Sequence, residues 1–160
     1  VENLTHCLAN ESQVDDLTHL CNRRGFRGIL EREVSRAART GQPLMLCRID
    51  VTFQDSMNQR KNEVLKQLGE SLAACIRGVD TLSRIDTQQF ILLTSGSTDG
   101  DHAALHRRIE QAADRIRSDS DDNTFAIHLS STAVPLESAA DGDRILECTL
   151  SCLESRQSSL

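Results

Sequence analysis

Four residues, Arg77-Gly78-Val79-Asp80, place a guanidinium and a carboxylate three residues apart. An arginine is always charged and can donate two parallel hydrogen bonds to a phosphate or to another planar acceptor. The same R-x-x-D spacing is also common where a helix ends, and there the two side chains form a local ion pair. The pattern therefore leaves open both a ligand-binding and a structural interpretation.

A second candidate site combines Asp50, at the end of a continuous apolar run, with the polar tip of a predicted hairpin at residues 86–89. A carboxylate such as Asp50 can hold a divalent cation through its hard oxygens. The tip carries Gln88 and Gln89, whose amide oxygens coordinate weakly and bring no charge. Asp50 is therefore either part of a weakened metal site or simply an acid at the end of a strand.

Alternating helical and strand-like segments position these residues. Apolar residues recur at helical spacing over residues 26–38, 63–76, 103–116 and 141–153. Strand-like runs occupy residues 44–51, 81–85, 88–93 and 125–134. Gly41 and Pro43 end the first helix, and loops are expected at 95–101 and 118–123. This order predicts an α/β sandwich whose hairpin gives the sheet an antiparallel component.

Size and charge limit the classes of function. The 160 residues, 38% hydrophobic and 26% charged, suit one domain with its own core. No apolar run approaches the length needed to span a membrane, and no stretch has the layout of a signal peptide. The formal net charge of −6 argues against a broad nucleic-acid surface. We therefore expect a cytoplasmic domain with no nucleic-acid partner and no membrane segment.

The cysteines and histidines show no spacing typical of a metal site. The six cysteines include no C-x-x-C pair, and several lie in apolar runs where a free thiol behaves as a small hydrophobic residue. We expect reduced thiols. His102 and His106 are one helical turn apart but lack the acid of an H-E-x-x-H pattern, so we expect two surface histidines rather than a zinc site. No metal and no cofactor are predicted.

Residues 15–46, DDLTHLCNRRGFRGILEREVSRAARTGQPLML, resemble the start of GGDEF domains, the diguanylate cyclases. The family signature D-x-L-T-x-L-x-N-R-R-x-F is matched by Asp16, Leu17, Thr18, Leu20, Asn22, Arg23, Arg24 and Phe26. The resemblance implies that Asn22, Arg23 and Arg24 mainly tie the first loop to the sheet. It also implies a degenerate GGDEF domain over residues 16–157, while the polar sequence with scattered apolar positions over residues 1–15 indicates an N-terminal linker helix. The implied fold is a three-layer, nucleotidyl-cyclase-like sandwich with a mostly antiparallel sheet.

The resemblance further implies an active site that this chain has lost. The family condenses two GTP molecules into cyclic di-GMP across a dimer, using divalent metal held by acids at the first strand and in the signature loop. Asp50 matches the first acid, but Thr52 replaces the second. The signature loop maps onto Asp86-Thr87-Gln88-Gln89-Phe90, preceded by Arg84, and only the phenylalanine is retained. Both phosphate-approaching glycines and both loop acids are therefore replaced.

Other family motifs are altered as well. The guanine-contacting pair maps onto Asn58 and Asn62, the second in place of an aspartate and in a shortened loop. The late A-D-x-A-x-Y-x-A-K pattern becomes Thr149-Leu150 without its tyrosine or lysine, and the S-x-G of the last strand becomes Ser130-Ser131-Thr132. We therefore expect no catalytic residues. The vestigial active site would consist of Asp50, Asn58, Gln88 and Gln89.

In active family members, R-x-x-D before the signature loop is the inhibitory site that binds intercalated cyclic di-GMP dimers. The resemblance therefore implies that Arg77 and Asp80 bind cyclic di-GMP, with a helper arginine from the following helix. Arg108 is our candidate, and Arg107 is its rival. The leading hypothesis is an inactive GGDEF-like signalling module that is a cyclic di-GMP receptor, working as a homodimer or with an attached signalling domain. The alternatives are a nucleotide-independent dimerisation or protein-interaction module and a weak GTP-binding pseudo-active site.

Overall fold

The computed structural model describes residues 13–54, 60–96, 99–120, 125–136 and 142–158. The helices in these ranges are α1 (Arg23–Thr40), α2 (Lys61–Cys75), α3 (Asp99–Ser120) and α4 (Gly142–Ser158). The strands are β1 (Leu44–Phe53), β2 (Thr81–Asp86), β3 (Gln89–Ser95) and β4 (Phe125–Ala133). The element order is the one predicted from the sequence. The predicted linker helix falls largely on residues 1–12, which lie outside the described residues.

The four strands form one sheet in the order β2-β3-β1-β4, and every neighbouring pair is antiparallel. Side chains of α2 and α3 cover one face and contribute to a core that includes Cys47 and Ile49 of β1. Side chains of α1 and α4 cover the other face, together with Leu44 and Leu46. This alternation along β1 follows the two-residue period of a strand. The predicted three-layer α/β sandwich is confirmed.

The helix boundaries differ from the predicted ones, and the starts of α1 and α3 show why. Helix α1 begins at Arg23 because the Asn22 side chain caps it, accepting a hydrogen bond from the Gly25 N–H at 3.0 Å. It ends at Gly41, whose φ of 74° suits a residue without a Cβ. Helix α3 begins at Asp99, so part of the loop predicted at residues 95–101 is helical. Polar residues at a helix start show no apolar period, which is why the pattern missed them.

Cys21 is disulfide-bonded, so the prediction of reduced thiols is wrong for this residue. Sequence spacing alone does not reveal pairing between distant cysteines. The other described cysteines are free, with Cys47 buried and Cys148 and Cys152 exposed on α4. None of the helices in the described ranges is long and apolar enough to cross a membrane.

Candidate functional site

The end of β1 forms one wall of a cleft of about 920 Å³. The strand register sets Asp50 beside Gln89 of β3 and His128 of β4. Gln88 and Thr52 line the same cleft. The structure therefore brings together three of the four residues predicted for the vestigial active site. The fourth, Asn58, lies outside the described residues.

Both carboxylate oxygens of Asp50 already accept hydrogen bonds from the protein. The Arg48 Nε donates to Oδ2 at 2.8 Å, and the Gln89 Nε2 donates to Oδ1 at 2.9 Å. The ion pair is largely buried, with 11% of the Arg48 side chain and 19% of the Asp50 side chain exposed. Residues two apart on a strand lie on the same face, so the sequence contained a signal for this pair that we missed.

This cleft does not fit the divalent metal ion that the family resemblance implies. Hard cations require several oxygen ligands, whereas Asp50 presents its oxygens to two N–H donors. The guanidinium of Arg48 also supplies a fixed positive charge next to the position where a metal ion would bind. Over the described ranges, no three His, Cys, Asp or Glu side chains are grouped so that they could hold a metal ion.

The hairpin tip is fixed by Arg84, the arginine predicted to precede the signature loop. Its Nε and Nη2 donate to the carbonyl oxygen of Thr87 at 3.2 and 2.7 Å. Its Nη1 donates to both carboxylate oxygens of Asp15 at 3.0 and 3.1 Å. Arg84 therefore connects the loop between β2 and β3 to the segment that precedes α1.

The structure corrects one residue of the signature match. Asp15, not Asp16, lies two residues before Leu17 and so fits the D-x-L-T spacing, while Asp16 is exposed. Asp15 Oδ2 accepts hydrogen bonds from the Thr18 N–H at 2.9 Å and the Thr18 hydroxyl at 2.7 Å. Burial tends to raise the pKa of Asp15, but the hydrogen bonds from Thr18 and Arg84 outweigh it and hold the pKa below its ordinary value.

Arg77 and Asp80 form an ion pair just after α2. Asp80 accepts hydrogen bonds from the Arg77 backbone N–H at 3.1 Å, from Nε at 3.3 Å and from Nη2 at 3.1 Å. Nη2 also donates to the carbonyl oxygen of Ser95 at 2.9 Å. The pair is asymmetric, because 54% of the Arg77 side chain is exposed but only 5% of the Asp80 side chain. The structural interpretation of R-x-x-D is thus satisfied, while the guanidinium still faces solvent.

The two helper candidates lie exposed on α3 and differ in direction. Asp101, in the first turn of α3, helps to raise the pKa of Arg77, although the hydrogen bond to Asp80 raises it more. Arg108 is seven residues from Asp101 and therefore lies on the same face of the helix, about 10 Å along its axis. Arg107 points about a third of a turn away from that face.

The prediction of two surface histidines is wrong. His102 is buried, with 3% of its surface exposed, and its Nε2 lies 2.7 Å from the hydroxyl of Thr94. The hydroxyl of Ser131 lies 2.8 Å from His102 Nδ1 and 2.7 Å from His106 Nε2. Cys47 Sγ is 3.6 Å from the same His106 nitrogen. The histidines therefore belong to a polar network between α3 and the sheet, and their partners are too distant in sequence to be recognised from spacing.

Two other altered motif positions, Thr149 and Thr132, lie close to groups of the protein itself. Thr149 is buried in α4 and donates from its hydroxyl to the Ile145 carbonyl at 2.7 Å. Thr132 is buried on β4, with its hydroxyl 4.0 Å from Cys152 Sγ. Asn62 is exposed in the first turn of α2. None of these described contacts approaches the cleft at Asp50.

Comparison with known proteins identifies relatives of this arrangement. Residues 12–155 match the family model described as "Diguanylate cyclase, GGDEF domain". Diguanylate cyclase DosC of Escherichia coli K12 is 25% identical over 144 residues, and the match covers 86% of this chain and 31% of DosC. Response regulator PleD of Caulobacter vibrioides is 30% identical over 112 residues, covering 67% of this chain and 24% of PleD. The chain thus spans a third or less of each relative.

A solved structure gives the same result for the fold. A microbial GGDEF domain described in a novel interaction mode with bis-(3,5)-cyclic di-GMP superposes with a TM-score of 0.71 and 21% identity. The superposition covers 95% of this chain and 94% of that one. Since the family model matches most of the sequence and the sheet with its helices matches a GGDEF structure, this chain belongs to the GGDEF domain family.

Proposed function

We propose that this GGDEF domain does not synthesise cyclic di-GMP and acts as a regulatory module that binds it. The observation that carries the first part is the state of Asp50, whose two oxygens accept hydrogen bonds from Arg48 and Gln89. Diguanylate cyclase chemistry needs that carboxylate for a divalent metal ion. Asp86 and Glu110 also line the cleft and bring negative charge towards any triphosphate.

The Arg77 guanidinium supports the second part of the proposal. Asp80 and the Ser95 carbonyl hold it in one orientation, so little side-chain entropy remains to be lost on binding. More than half of the side chain is exposed, at 54%, so a ligand can reach it. Arg108 shares a helix face with Asp101, which lies close enough to influence Arg77, and we therefore choose Arg108 over Arg107 as the helper.

The test is calorimetric titration of cyclic di-GMP into the purified domain. We expect binding in the wild type and its loss in Arg77→Ala. Since Arg77→Ala also leaves Asp80 buried without its cation, Arg77→Lys is the second variant. It keeps a positive charge beside Asp80 but lacks the planar guanidinium group, and it should also bind much more weakly.

The matched control is Arg60→Ala. The Arg60 side chain is 40% exposed and pairs with Glu63 at 3.4 Å with the same three-residue spacing, but it lies at the other end of α2. Its loss should leave cyclic di-GMP binding unchanged. Equal affinity in the wild type and Arg77→Lys would place any nucleotide elsewhere on the domain. In parallel, GTP turned over with magnesium or manganese, and lost in Asp50→Ala, would overturn the proposed inactivity.

One observation favours a second candidate, a nucleotide-independent interaction module. Both oxygens of Asp80 are occupied by Arg77, so the pair is complete as a structural element that ends α2. Under this hypothesis the domain binds no cyclic di-GMP at high protein concentration. Self-association measured by sedimentation would then be the same with and without the nucleotide.

A further inference from the structure

Helix α1 concentrates positive charge in a chain whose formal net charge is −6. The helix contains six of the 18 lysines and arginines and only two acids, which gives it a formal charge of +4. The rest of the chain therefore carries −10. The first turn of α1 has no acidic residue to complement its helix dipole. Such an asymmetry is a feature of binding surfaces rather than of folding.

Four of these arginines have no ion pair among the described residues, and all four are exposed. They are Arg23, Arg24, Arg32 and Arg39, of which the last three lie on one side of the helix. Two other charged residues of α1 contact α4, since Arg27 pairs with Asp143 at 2.8 Å and Glu31 accepts from the Gly142 N–H at 2.8 Å. Neither contact involves Arg24, Arg32 or Arg39, although Glu31 lies seven residues from Arg24 and therefore borders them. We call Arg24, Arg32 and Arg39, with Gly28 and Ser35 between them, the arginine face.

The spacing of the arginine face is regular. Arg24, Arg32 and Arg39 are eight and seven residues apart, which places them about 12 and 10 Å apart along the axis and within a quarter turn of one another. Gly28 and Ser35 are exposed between them. A Cβ added at Gly28 would meet no atom within 4 Å, so the surface above it is open. The arginine face therefore has small residues at its centre and guanidinium groups around them.

We propose that the arginine face docks an acidic helix of a partner protein, with carboxylates recurring about every seven residues. A helix packed lengthwise on another repeats its contacts at this period. Small residues at the centre allow the two backbones to approach, and carboxylates on the partner would meet guanidiniums that have no pair within the described part of this chain. The proposal does not depend on cyclic di-GMP binding.

Two other classes of anionic partner fit less well. A nucleic acid presents a continuous row of phosphates, but Glu31 and Glu33 interrupt this helix and the rest of the chain is acidic. A membrane-bound helix needs apolar side chains beside its basic ones. The one large hydrophobic side chain that is exposed among the described residues, Val79, lies far along the chain from α1. An acidic helix of a partner protein can instead place one basic residue opposite Glu31 and another opposite Glu33 of α1.

The test measures binding of a fluorescein-labelled, alanine-based helical peptide with glutamate at every seventh position. The full chain should bind it in low salt, and a peptide with glutamines at those positions should not bind. The double variant Arg32→Glu/Arg39→Glu should weaken binding by about tenfold or more. The matched control, Lys66→Glu/Arg115→Glu, makes the same change in net charge at exposed positions of α2 and α3 and should change affinity by less than about twofold.

Equal losses in the two double variants would show general charge attraction and overturn the proposal. Stronger binding to phosphatidylglycerol vesicles or to a DNA duplex, lost in the arginine variant alone, would assign the face to a membrane or to nucleic acid instead. Melting curves of both variants establish that the fold is intact. Cyclic di-GMP titration of the arginine variant should match the wild type, so failure of this proposal and failure of the proposed function remain distinguishable.

Discussion

Two arginine–aspartate pairs of this domain use the same chemistry in opposite ways. In Arg48–Asp50, both side chains are largely buried, at 11% and 19% exposed. In Arg77–Asp80, the carboxylate is buried but 54% of the arginine side chain remains exposed. The first pair satisfies its carboxylate within the cleft, whereas the second uses its carboxylate to present a guanidinium to solvent.

The difference between the pairs is what the proposed loss of one site and retention of another would require. Arg48 donates to one oxygen of Asp50, the carboxylate that the family resemblance assigns to a metal site, and Gln89 donates to the other oxygen. At Arg77, the backbone N–H of the arginine also binds Asp80, so the carboxylate is fixed independently of the guanidinium tip. The two pairs should therefore respond differently when either partner is removed.

The largest effect should follow removal of Asp80. Asp80→Ala deletes a buried acceptor of three hydrogen bonds and should lower the free energy of unfolding by about 3 kcal/mol. Urea unfolding measures this loss. Glu63→Ala, which removes the acid of the exposed Arg60–Glu63 pair, is the matched control and should cost less than about 1 kcal/mol. Equal losses would mean that Asp80 is no more structural than a surface acid.

Removal of Arg48 should cost somewhat less, because Asp50 keeps its hydrogen bond from Gln89. We expect Arg48→Met to lower the free energy of unfolding by about 2 kcal/mol, since a nearly buried carboxylate loses its cation. The double variant Arg48→Met/Asp50→Leu should recover most of this loss, since no unpaired charge remains. Urea unfolding of Arg48→Met, Asp50→Leu and the double variant measures this recovery. If the loss in the double variant equals the sum of the losses in the two single variants, the two side chains are not coupled.

A third variant is designed to let the cleft at Asp50 bind a divalent metal ion. Gln89→Glu replaces the amide that donates to Asp50 with a second carboxylate and should cost about 1 kcal/mol through like-charge repulsion. Manganese should then raise the melting temperature of the variant, because two carboxylates can share a divalent cation. The wild type should show no such rise. A rise of the same size in the wild type would mean that Arg48 and Gln89 do not block metal binding at Asp50.

The fold could be predicted because its cores follow simple periods. On β1, Leu44 and Leu46 face one core while Cys47 and Ile49 face the other, and the helices carry apolar stripes. These periods are enough to predict the type and order of the elements. Only boundaries set by polar residues were missed, such as the start of α3 at Asp99. Many apolar positions along a helix carry the same periodic signal, whereas the end of a helix depends on one or two residues.

The site was less predictable because the three-dimensional fold, and not sequence spacing, decides which polar side chains meet. The family resemblance groups Asp50 with Gln89, and in the sheet register these two residues are direct partners. In the sequence, Arg48 only interrupts a predicted buried strand, although its two-residue spacing from Asp50 is visible. The surface prediction for His102 and His106 depends on their spacing along one helix, whereas their partner Ser131 is on a different element, so no local pattern reveals it.

The smallest effect should come from pH, through His106 rather than either arginine pair. Burial lowers the pKa of His106 from its ordinary 6.5, with Glu110 acting in the opposite direction, so folding favours the neutral ring. The contribution of His106 to the free energy of unfolding is therefore complete above pH 6.5. It is lost as the pH falls below that value, because His106 of the unfolded chain binds the proton first. Asp15, whose pKa is lowered from 3.8, contributes only in stronger acid.

The melting temperature should therefore fall between pH 7 and pH 5 in the wild type and fall less in His106→Asn. The comparison is the slope against pH rather than the absolute stability, because the substitution also removes the contact with Ser131. Ser131→Ala is the control, since it removes that contact but keeps the titrating ring. If His106→Asn retains the wild-type slope, acid acts through other groups, and the network between α3 and the sheet is structural without being linked to protons.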